Sequence, residues 1–444
     1  MRKRLLFFAL ITQLTSVLLA QVAHVKITSN ANKWTLLVDE KPYYIKGAGG
    51  ETHLDDLLAI GGNTIRTWGI DNAQQVLDEA QKKGVKVMLG LWVQHERHGF
   101  DYNDQDAVKA QLDFFRSEVK KYKNHPALLI WCVGNEYELA YSNTKVWSAV
   151  NDIAKMIHEE DNMHPTATVT AGTSDEKLAF VQSVLTAVDI YGINTYGDIE
   201  NVKSVLDRGN YKGAYMITEW GPNGHWESPK TAWGSSVEQT STQKTTSYKE
   251  RYEKYIQADS AQCIGSFAFL WGQKQEYTNT WYGLFYENGM PTEAIDALCY
   301  NFTKKYPENR APTIDAILFN NSKNHINHVV QSNELISLAV LARDLNNDKL
   351  IYTWELFPES EDLKIGGDIE SKPQPIKNRI KGKSSDSVQL KAPTKEGRYR
   401  VFVSVTDGVK MAYANIPFYV TYNPQTAQPK VSLQTTDLKS FEND

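Results

Sequence analysis

The segment ALLIWCVGNE, Ala127–Glu136, reads as a buried strand that ends in an amide and a carboxylate. Residues 127–134 are all apolar or glycine, which is typical of a strand covered on both faces. Asn135 and Glu136 follow at once, although acidic side chains are depleted in strands and costly to bury without a partner. The segment therefore indicates a chemically active side chain held at the tip of a strand.

The same alternation of an apolar strand and an amphipathic helix continues on both sides of this segment. Eight strand-then-helix units follow one another between Tyr43 and Tyr306. Eight such units in roughly 265 residues are the size of a closed (β/α)8 barrel, or TIM barrel, an α/β fold with parallel strands. An open doubly wound sheet is the alternative. The count of eight and the lack of a glycine-rich dinucleotide loop weigh against it.

The pattern changes near Pro307 to short segments in which apolar and polar residues alternate. Such segments, separated by Asn, Asp, Gly and Lys, predict an antiparallel β-sandwich of about 110 residues. The stretch RDLNNDKLIYTWEL, residues 343–356, resembles polycystic-kidney-type and cadherin-like immunoglobulin modules, which implies an immunoglobulin-like fold. We therefore expect a catalytic barrel at 21–308, a C-terminal immunoglobulin-like β-sandwich at 309–424 and a flexible tail at 425–444.

Residues 1–20 have the composition of a secretory signal peptide. Arg2, Lys3 and Arg4 form a charged start, Leu5–Ile11 is apolar, and Ala20 ends the cleavage region. The apolar part is shorter than the roughly 20 residues of a bilayer span. We expect cleavage, a secreted or periplasmic protein, and no stable membrane span afterwards; a retained membrane anchor is the alternative.

The composition argues against several classes of function. The net charge is −5 and no basic stripe is present, so a nucleic-acid partner is not expected. Cys132, Cys263 and Cys299 lie in apolar surroundings and read as small buried hydrophobes. Neither zinc-type Cys/His spacing nor a phosphate-binding loop occurs, so we expect no metal and no cofactor. Aromatic residues make up 11% of the chain, and planar rings stack on flat ligands such as sugar faces. We expect a monomer that binds a polysaccharide or oligosaccharide.

Two of the predicted strands end in glutamates that could work as a pair. In TIM barrels the active site lies at the C-terminal ends of the strands. The fourth strand ends in Asn135 and Glu136, and the seventh, MITEWG, in Glu219. A protonated carboxyl can donate to a leaving oxygen while an ionised one attacks an anomeric carbon. In a retaining glycosidase the two lie about 5–5.5 Å apart. One such glutamate alone would be a loop acid, but the pair favours catalysis.

Other polar and aromatic side chains stand at or just beyond the strand ends. Arg66 on the second strand is the natural cation for Glu219, although it could also be a structural ion-pair partner. The sixth strand ends in Asn194 and Tyr196. The tryptophans could instead pack between helices and sheet. We predict a substrate site lined by Arg66, Trp68, Trp92, His95, Asn135, Tyr137, Tyr196, Trp220, Trp226 and Trp271.

The motifs GNE, 134–136, and TEWG, 218–221, on these two strands resemble the retaining barrel glycosidases of clan A. The resemblance spans the whole barrel and implies that Glu136 is the acid/base and Glu219 the nucleophile. It implies that Asn135 holds the sugar hydroxyl next to the reacting carbon. The family pattern also includes an arginine on strand two, an aromatic on strand eight and a tyrosine near the nucleophile, matched here by Arg66, Trp271 and Tyr196.

The order of signal, barrel and one immunoglobulin-like module resembles the bacterial endo-β-1,3-glucanases of glycoside hydrolase family 158. The stretch IKGAGGETHLDDLLAIGGNTIRTWG, 45–69, also resembles fungal β-1,3-glucanosyltransferases. Both resemblances imply a β-1,3-glucan such as laminarin, and an aromatic-rich, weakly charged cleft suits a neutral polysaccharide. The sandwich domains that usually precede the barrel in the β-galactosidase and β-glucuronidase group are not expected here. The alternatives are a transglycosylase, a hydrolase of mannan or galactan, and a non-catalytic glycan-binding protein.

Overall fold

The computed structural model describes residues 22–31 and 33–422. The predicted signal peptide, 1–20, and the predicted tail, 425–444, lie outside these residues. Within the described ranges, none of the helices has the length and apolar character that crossing a membrane requires.

A small antiparallel sheet, which the sequence analysis does not predict, precedes the barrel. Its strands are β1 (Val25–Asn30), β2 (Lys33–Val38) and β3 (Lys41–Tyr43), paired in that order. Val25 and Trp34 donate hydrogen bonds to carbonyls in loops that lead into barrel strands, at Met163, Lys212 and Ala261. Its buried apolar side chains join a core cluster inside the barrel. The sheet therefore covers the N-terminal end of the barrel and leaves the opposite end as the mouth.

Eight parallel strands close into a barrel, which confirms the α/β barrel prediction. Each strand pairs with its neighbours in the chain, and the last strand pairs with the first. In chain order the strands are β4 (Ile45–Gly49), β5 (Thr64–Arg66), β6 (Lys86–Leu91), β7 (Leu128–Val133), β8 (Thr166–Ala171), β9 (Ile190–Asn194), β10 (Ala214–Trp220) and β11 (Cys263–Ala268).

In the described residues eight α-helices surround the barrel, one after each strand, and two of their ends carry residues typical of helix ends. Ser174 caps one helix by accepting a hydrogen bond from the backbone of Lys177 at 3.2 Å, and Gly84 ends another with a left-handed φ of 76°. The helices are α1 (Leu54–Ala59), α2 (Ala73–Lys83), α3 (Gln105–Tyr122), α4 (Lys145–Glu160), α5 (Asp175–Ser183), α6 (Ile199–Arg208), α7 (Ser241–Arg251) and α8 (Glu293–Thr303). Cys132, Cys263 and Cys299, in two strands and α8, are buried and unpaired.

The C-terminal part of the chain forms two four-stranded sheets that enclose a second apolar core. This arrangement agrees with a β-sandwich, but His328–Gln331 pairs in parallel with Met411–Thr421, so the prediction of a wholly antiparallel sandwich is wrong for this pair. Its immunoglobulin-like character stays a prediction. The sheet orders are β12-β14-β17-β16 and β13-β19-β18-β15. The strands are β12 (Thr313–Phe319), β13 (His328–Gln331), β14 (Leu335–Arg343), β15 (Ile351–Pro358), β16 (Ile380–Lys381), β17 (Ser387–Lys391), β18 (Gly397–Thr406) and β19 (Met411–Thr421).

Hydrogen bonds and ion pairs of buried charged side chains connect the sandwich to the barrel. Arg400 of β18 donates to the carbonyl of Ser236, in the loop after β10, at 2.8 Å and pairs with Glu359 at 3.0 Å. Lys410 pairs with Asp296 of α8 at 2.5 Å. Removing one partner of a buried ion pair leaves an uncompensated charge, so such pairs specify one docking geometry. The sandwich is therefore held in a defined position beside the barrel mouth.

Candidate active site

Glu219 lies near the end of β10 with three donors directed at its carboxylate. Arg66 and Trp68 donate to Oε1 at 3.0 and 2.8 Å, and the hydroxyl of Tyr196 donates to Oε2 at 3.0 Å. An ionised carboxylate only accepts hydrogen bonds, so an all-donor environment suits that form. The three donors come from the loops and strand ends of β5 and β9, and they fix the carboxylate at the mouth.

Arg66 at the end of β5 joins three strands. It is fully buried, and besides Glu219 it donates to Asn135 Oδ1 at 2.6 Å and to the carbonyl of Thr218 at 2.9 Å. Charge-assisted hydrogen bonds of this kind are shorter and stronger than neutral ones. The structure thus brings together the cation and the carboxylate that the sequence analysis pairs.

Glu136 follows β7 and lies on the same side of the barrel. Its backbone N–H donates to the carbonyl of Val169 on β8 at 2.9 Å, and its φ of 49° is left-handed. Left-handed backbone at a non-glycine residue stores strain of a kind that is concentrated at functional sites. The carboxyl is partly exposed to the mouth and accepts a hydrogen bond from Asn194 Nδ2 at 2.8 Å.

The surroundings of Glu136 favour its protonated form. Desolvation by the protein around the carboxyl is the main cause, the negative charge of Glu219 is the second, and together they raise the pKa of Glu136 to about 8. The hydrogen bond from Asn194 opposes this rise without reversing it. At neutral pH Glu136 can therefore donate a proton while Glu219 faces a cation. Two carboxyls that lie in such different surroundings, one favouring protonation and the other facing a cation, are typical of acid/base pairs.

The raised pKa predicts how activity should depend on pH. Glu136 has to be protonated to donate, and it loses its proton as the pH rises through about 8. We expect kcat/KM for a phenyl β-glycoside to fall above this pH, approaching a tenfold loss per pH unit. The measurement is kcat/KM from pH 5 to 10, with circular dichroism at each pH to show that the protein stays folded. A flat profile up to pH 10 would contradict the proton-donor role.

Asn194, at the end of β9, contacts Glu136 on one side and Thr218, the residue before Glu219, on the other, and it was not among the predicted site residues. Its Nδ2 donates to Asn135 Oδ1 at 3.0 Å as well as to Glu136, and its Oδ1 accepts from Thr218 Oγ1 at 2.8 Å. Its position at the end of an apolar strand could have indicated a role, because Asn135 was predicted from the same kind of position. Asn194 thus orients the residues on both sides of the mouth.

Glu276, in the loop after β11, is a third carboxylate near the mouth that the sequence analysis misses. Burial raises its pKa, and the nearby charge of Glu219 acts in the same direction. Lys274 lies 2.7 Å from its Oε2 and opposes this rise. No periodic pattern marks this loop in the sequence, so only the fold reveals that Glu276 approaches the pair.

Aromatic side chains form one wall of the mouth. Trp68 is partly buried and packs with Phe269 and Tyr196 against a cluster that also contains Tyr277, Trp281 and Tyr282. Trp226 has 55% of its surface exposed and meets the ring of Tyr196 edge-on at 5.7 Å. Exposed aromatic faces beside an active site suit the apolar faces of sugars. Trp68 and Tyr196 thus contact Glu219 and Trp226 lies beside Tyr196, while their contact with sugar stays a prediction.

Three predicted sugar contacts are wrong, because Tyr137, Trp220 and Trp271 are buried in the core between barrel and helices. Tyr137 packs on Trp147, and Trp271 packs on Phe285. Trp220 contacts the rings of Tyr248 and Tyr252. Trp220 alternates with Glu219 along β10, so its side chain faces the opposite side of the strand, whereas Tyr137 and Trp271 lie in loops beyond β7 and β11.

The stacked rings after β6 also differ from the prediction. His95 is fully buried between Trp92 and His98, at centroid distances of 4.6 and 5.2 Å, and its Nδ1 accepts from Arg97. Burial and the charge of Arg97 lower the pKa of His95 to about 4, so the ring is neutral. His95 is thus a packing residue and not a sugar contact. Trp92 remains partly exposed and stays a candidate.

Comparison with known proteins gives one family match. The protein-family model described as "Glycosyl hydrolases family 2, TIM barrel domain" matches residues 68–303. A β-mannosidase from Mus musculus is 23% identical over 215 residues, which are 44% of this chain and 23% of that protein. These comparisons indicate family 2 and do not support the finer resemblance to family 158.

Two similar solved structures agree with the fold. One is Bacteroides uniformis β-glucuronidase 2 covalently bound to cyclophellitol-6-carboxylate aziridine, with 14% identity, a TM-score of 0.50, and coverage of 90% of this chain and 48% of that chain. The other is Ruminococcus gnavus β-glucuronidase, with 15% identity, a TM-score of 0.50, and coverage of 64% and 53%. The chain thus spans about half the length of these structures, and less of the mannosidase.

Proposed function

The chain belongs to the glycosyl hydrolase family 2 TIM barrel family, and from that premise we propose that it is a retaining β-glycosidase of neutral glycans. The observation that carries the proposal is the contrast between Glu136, whose pKa is raised to about 8, and Glu219, whose carboxylate meets three donors. A purely glycan-binding protein would not need a carboxyl with a raised pKa on the same side of the barrel as a carboxylate that accepts from three donors.

In the first step Glu219 attacks the anomeric carbon while Glu136 protonates the leaving oxygen. Oε1 of Glu219 already accepts from Arg66 and Trp68, whereas Oε2 accepts only from Tyr196 and keeps a free lone pair. We therefore assign the attack to Oε2. The glycosidic C–O bond breaks, the aglycone leaves with the proton, and a glycosyl ester on Glu219 remains.

In the second step water replaces Glu219 on the anomeric carbon. The Glu136 carboxylate takes a proton from the attacking water, the ester bond breaks, and both glutamates return to their starting states. Both hydrogen bonds that reach the side chain of Asn135, from Arg66 and Asn194, end on its Oδ1. Its amide nitrogen is left to donate to the sugar hydroxyl beside the reacting carbon.

The charges around the two glutamates support a neutral sugar. In the described part of the chain, the cations close to them are each paired: Arg66 with Glu219, Lys274 with Glu276, and Lys177 with Glu138 at 3.0 Å. An acidic sugar would meet carboxylates without a surplus cation. This favours a neutral glycan, although the two similar solved structures are named β-glucuronidases.

We propose that the glycan is β-1,3-glucan and that internal bonds of the polysaccharide are cleaved. The proposal rests on the resemblance of residues 45–69 to fungal β-1,3-glucanosyltransferases. A mannan-type substrate is the second candidate, because the mouse relative is named a β-mannosidase. A transglycosylase would use the same residues, and hydrolysis of galactan stays an alternative.

The test is a panel of laminarin, mixed-linkage glucan, mannan, galactan and an aryl β-glucuronide, with products resolved by size. We expect laminarin to be cut to a ladder of oligosaccharides and the β-anomer to appear first by NMR. Mannan as the better substrate would select the second candidate. Longer products at high substrate concentration would indicate transglycosylation. A first product with α-configuration, or a folded protein that cleaves none of the five, would reject a retaining β-glycosidase.

Trp226 is the exposed aromatic that we expect to bind sugar units beyond the reacting one. The neighbouring Trp233, which lies in the same loop, is buried against Tyr419 of the sandwich and does not join it. We expect Trp226→Ala to raise KM on long oligosaccharides about threefold to tenfold more than on an aryl glycoside. Phe114→Ala, an exposed aromatic on α3, is the matched control. Equal changes in KM on both substrates would reject this role.

We further propose that the protein is exported after removal of residues 1–20 and acts as a monomer, with an immunoglobulin-like C-terminal module. N-terminal sequencing of the protein recovered outside the cytoplasm tests the cleavage. Light scattering of the purified protein tests the monomer.

A further inference from the structure

The loop between β15 and β16, residues 359–379, leaves the sandwich and reaches the barrel mouth. We call residues Ile365–Glu370 the docked segment. Arg97 donates to the carbonyl of Ile365 at 3.2 Å and pairs with Asp368 at 2.5 Å, and His98 lies 3.1 Å from the same Asp368 oxygen. The docked segment is therefore held by the barrel loop that follows β6.

The other side of the docked segment is held by a different barrel loop, the one that follows β11. Lys274 donates to the carbonyl of Gly367 at 3.0 Å, and the backbone N–H of Tyr277 donates to Glu370 Oε2 at 2.7 Å. Glu370 also accepts from the backbone of Lys364 at 3.0 Å, which braces the loop internally. The two anchoring barrel loops thus lie on both sides of the docked segment.

The order of the strands around the barrel shows that the two anchoring loops lie apart at the mouth. Around the barrel, β11 is followed by β4, β5 and then β6, so two strand ends lie between the two anchoring loops. The docked segment contacts both of these loops, and through Gly366 it also contacts Leu139 in the loop after β7. Trp226 lies in a different loop, the one after β10. The docked segment therefore bridges separate loops of the mouth.

Two glycines let the docked segment approach the catalytic loops closely. Gly366 and Gly367 have left-handed φ values of 61° and 72°. A Cβ at Gly366 would lie 2.8 Å from Leu139, whose N–H donates to the carbonyl of Glu136. A Cβ at Gly367 would lie 3.1 Å from Lys274, the partner of Glu276. The segment is thus in contact with the loop of the acid and with the charged pair near Glu219.

Three apolar side chains of this loop are exposed to solvent, two of them in the docked segment. Ile369 is 93% exposed although both of its neighbours, Asp368 and Glu370, are anchored to the barrel. Leu363 and Ile365 are also exposed, at 47% and 44%. Single exposed apolar residues are ordinary on protein surfaces, but several on one anchored loop beside a cleft mark a binding surface.

We propose that the docked segment is a wall of the substrate cleft, and that Ile369 packs on the apolar face of a sugar unit distant from the bond that is cut. The occupant is a further unit of the same neutral glycan, so the inference rests on the proposed function. The sandwich thereby contributes to substrate selection, and loss of the docked segment weakens binding of long chains more than of short ones.

The test compares Ile369→Ala with Leu335→Ala, an apolar side chain on β14 that is 68% exposed and not part of the loop. The substrates are laminarihexaose and 4-nitrophenyl β-D-glucoside. We expect Ile369→Ala to lower kcat/KM on the hexaose about tenfold and on the aryl glucoside much less. Leu335→Ala should change neither. Equal losses of kcat/KM on both substrates, or no loss, would overturn the proposal that the docked segment is a wall of the cleft. The proposed function would still stand.

A second measurement needs no catalysis and separates the two proposals. Affinity electrophoresis in laminarin and in mannan reports glycan binding by the wild type, Ile369→Ala and Asp368→Asn, with Asp315→Asn as the control for loss of one sandwich ion pair. Weaker binding by both loop variants supports the wall even if the wild type hydrolyses nothing, in which case the proposed function fails alone. Unchanged binding by both, or no binding by the wild type, overturns the wall.

Discussion

Replacement of Glu219 by glutamine is expected to lower kcat about ten-thousandfold, equivalent to about 5.4 kcal/mol of transition-state stabilisation. The amide keeps the size of the side chain and can still accept from Arg66 and Trp68, but it lacks the charge that attacks the anomeric carbon. The measurement is kcat on laminarin and on an aryl β-glycoside. Glu176→Gln, an exposed carboxylate on α5, is the matched control and should keep full activity.

The alanine variant of the same residue tests whether Glu219 is the nucleophile. Glu219→Ala removes the side chain beside Arg66, and a small anion such as azide can then attack the anomeric carbon from the same face. We expect azide to restore part of the activity on an activated aryl glycoside and to give an α-glycosyl azide. A Glu219→Gln variant with more than about a tenth of wild-type kcat would rule out a covalent role for this residue.

Replacement of Glu136 by glutamine is expected to have an effect that depends on the leaving group. Proton donation contributes about a hundredfold to ten-thousandfold when the leaving oxygen is basic, as in an oligosaccharide. A dinitrophenolate leaves without a proton, so formation of the glycosyl ester should be nearly normal on that substrate. We expect a loss of about a thousandfold in kcat/KM on laminarihexaose and a much smaller loss on the dinitrophenyl glycoside.

The same variant should also lose the fall in kcat/KM above pH 8, since the group with the raised pKa is gone. Circular dichroism of Glu136→Gln at neutral pH shows whether the fold is intact. Equal losses on both leaving groups, with the fold intact, would mean that Glu136 positions substrate and does not donate a proton.

Much of the fold could be predicted from the sequence because its signals are local. A strand covered on both faces needs a continuous apolar run, and an outer helix needs an apolar stripe with a period of 3.6. Eight repeats of this strand–helix unit predict the barrel. The ends of the predicted strands then place Glu136, Glu219 and Arg66 at its mouth. The three-stranded sheet at the N-terminus was missed because its strands are mostly not buried and no helix follows them, so they lack the continuous apolar run and the strand–helix repeat.

The direction of individual side chains could not be predicted in the same way. Tyr137 and Trp220 follow Glu136 and Glu219 in the chain, yet both are buried in the core between barrel and helices. Whether a strand-end tryptophan lines the cleft depends on a one-residue difference in the strand, because successive side chains face opposite sides. Trp226 is exposed and Trp233 buried although both lie in one loop, because only Trp233 meets the sandwich.

By itself the sequence determined the eight strand-helix units, the following sandwich, and the two glutamates with Arg66, since each follows from residues close together in the chain. Only the tertiary structure decided that the pKa of Glu136 is raised, as its proposed role of proton donor requires, because this pKa depends on desolvation and on Glu219 of another strand. It also decided that a sandwich loop meets the mouth, through contacts such as that of Arg97 with Asp368. Contacts between residues far apart in the chain leave no local pattern, so packing alone establishes them.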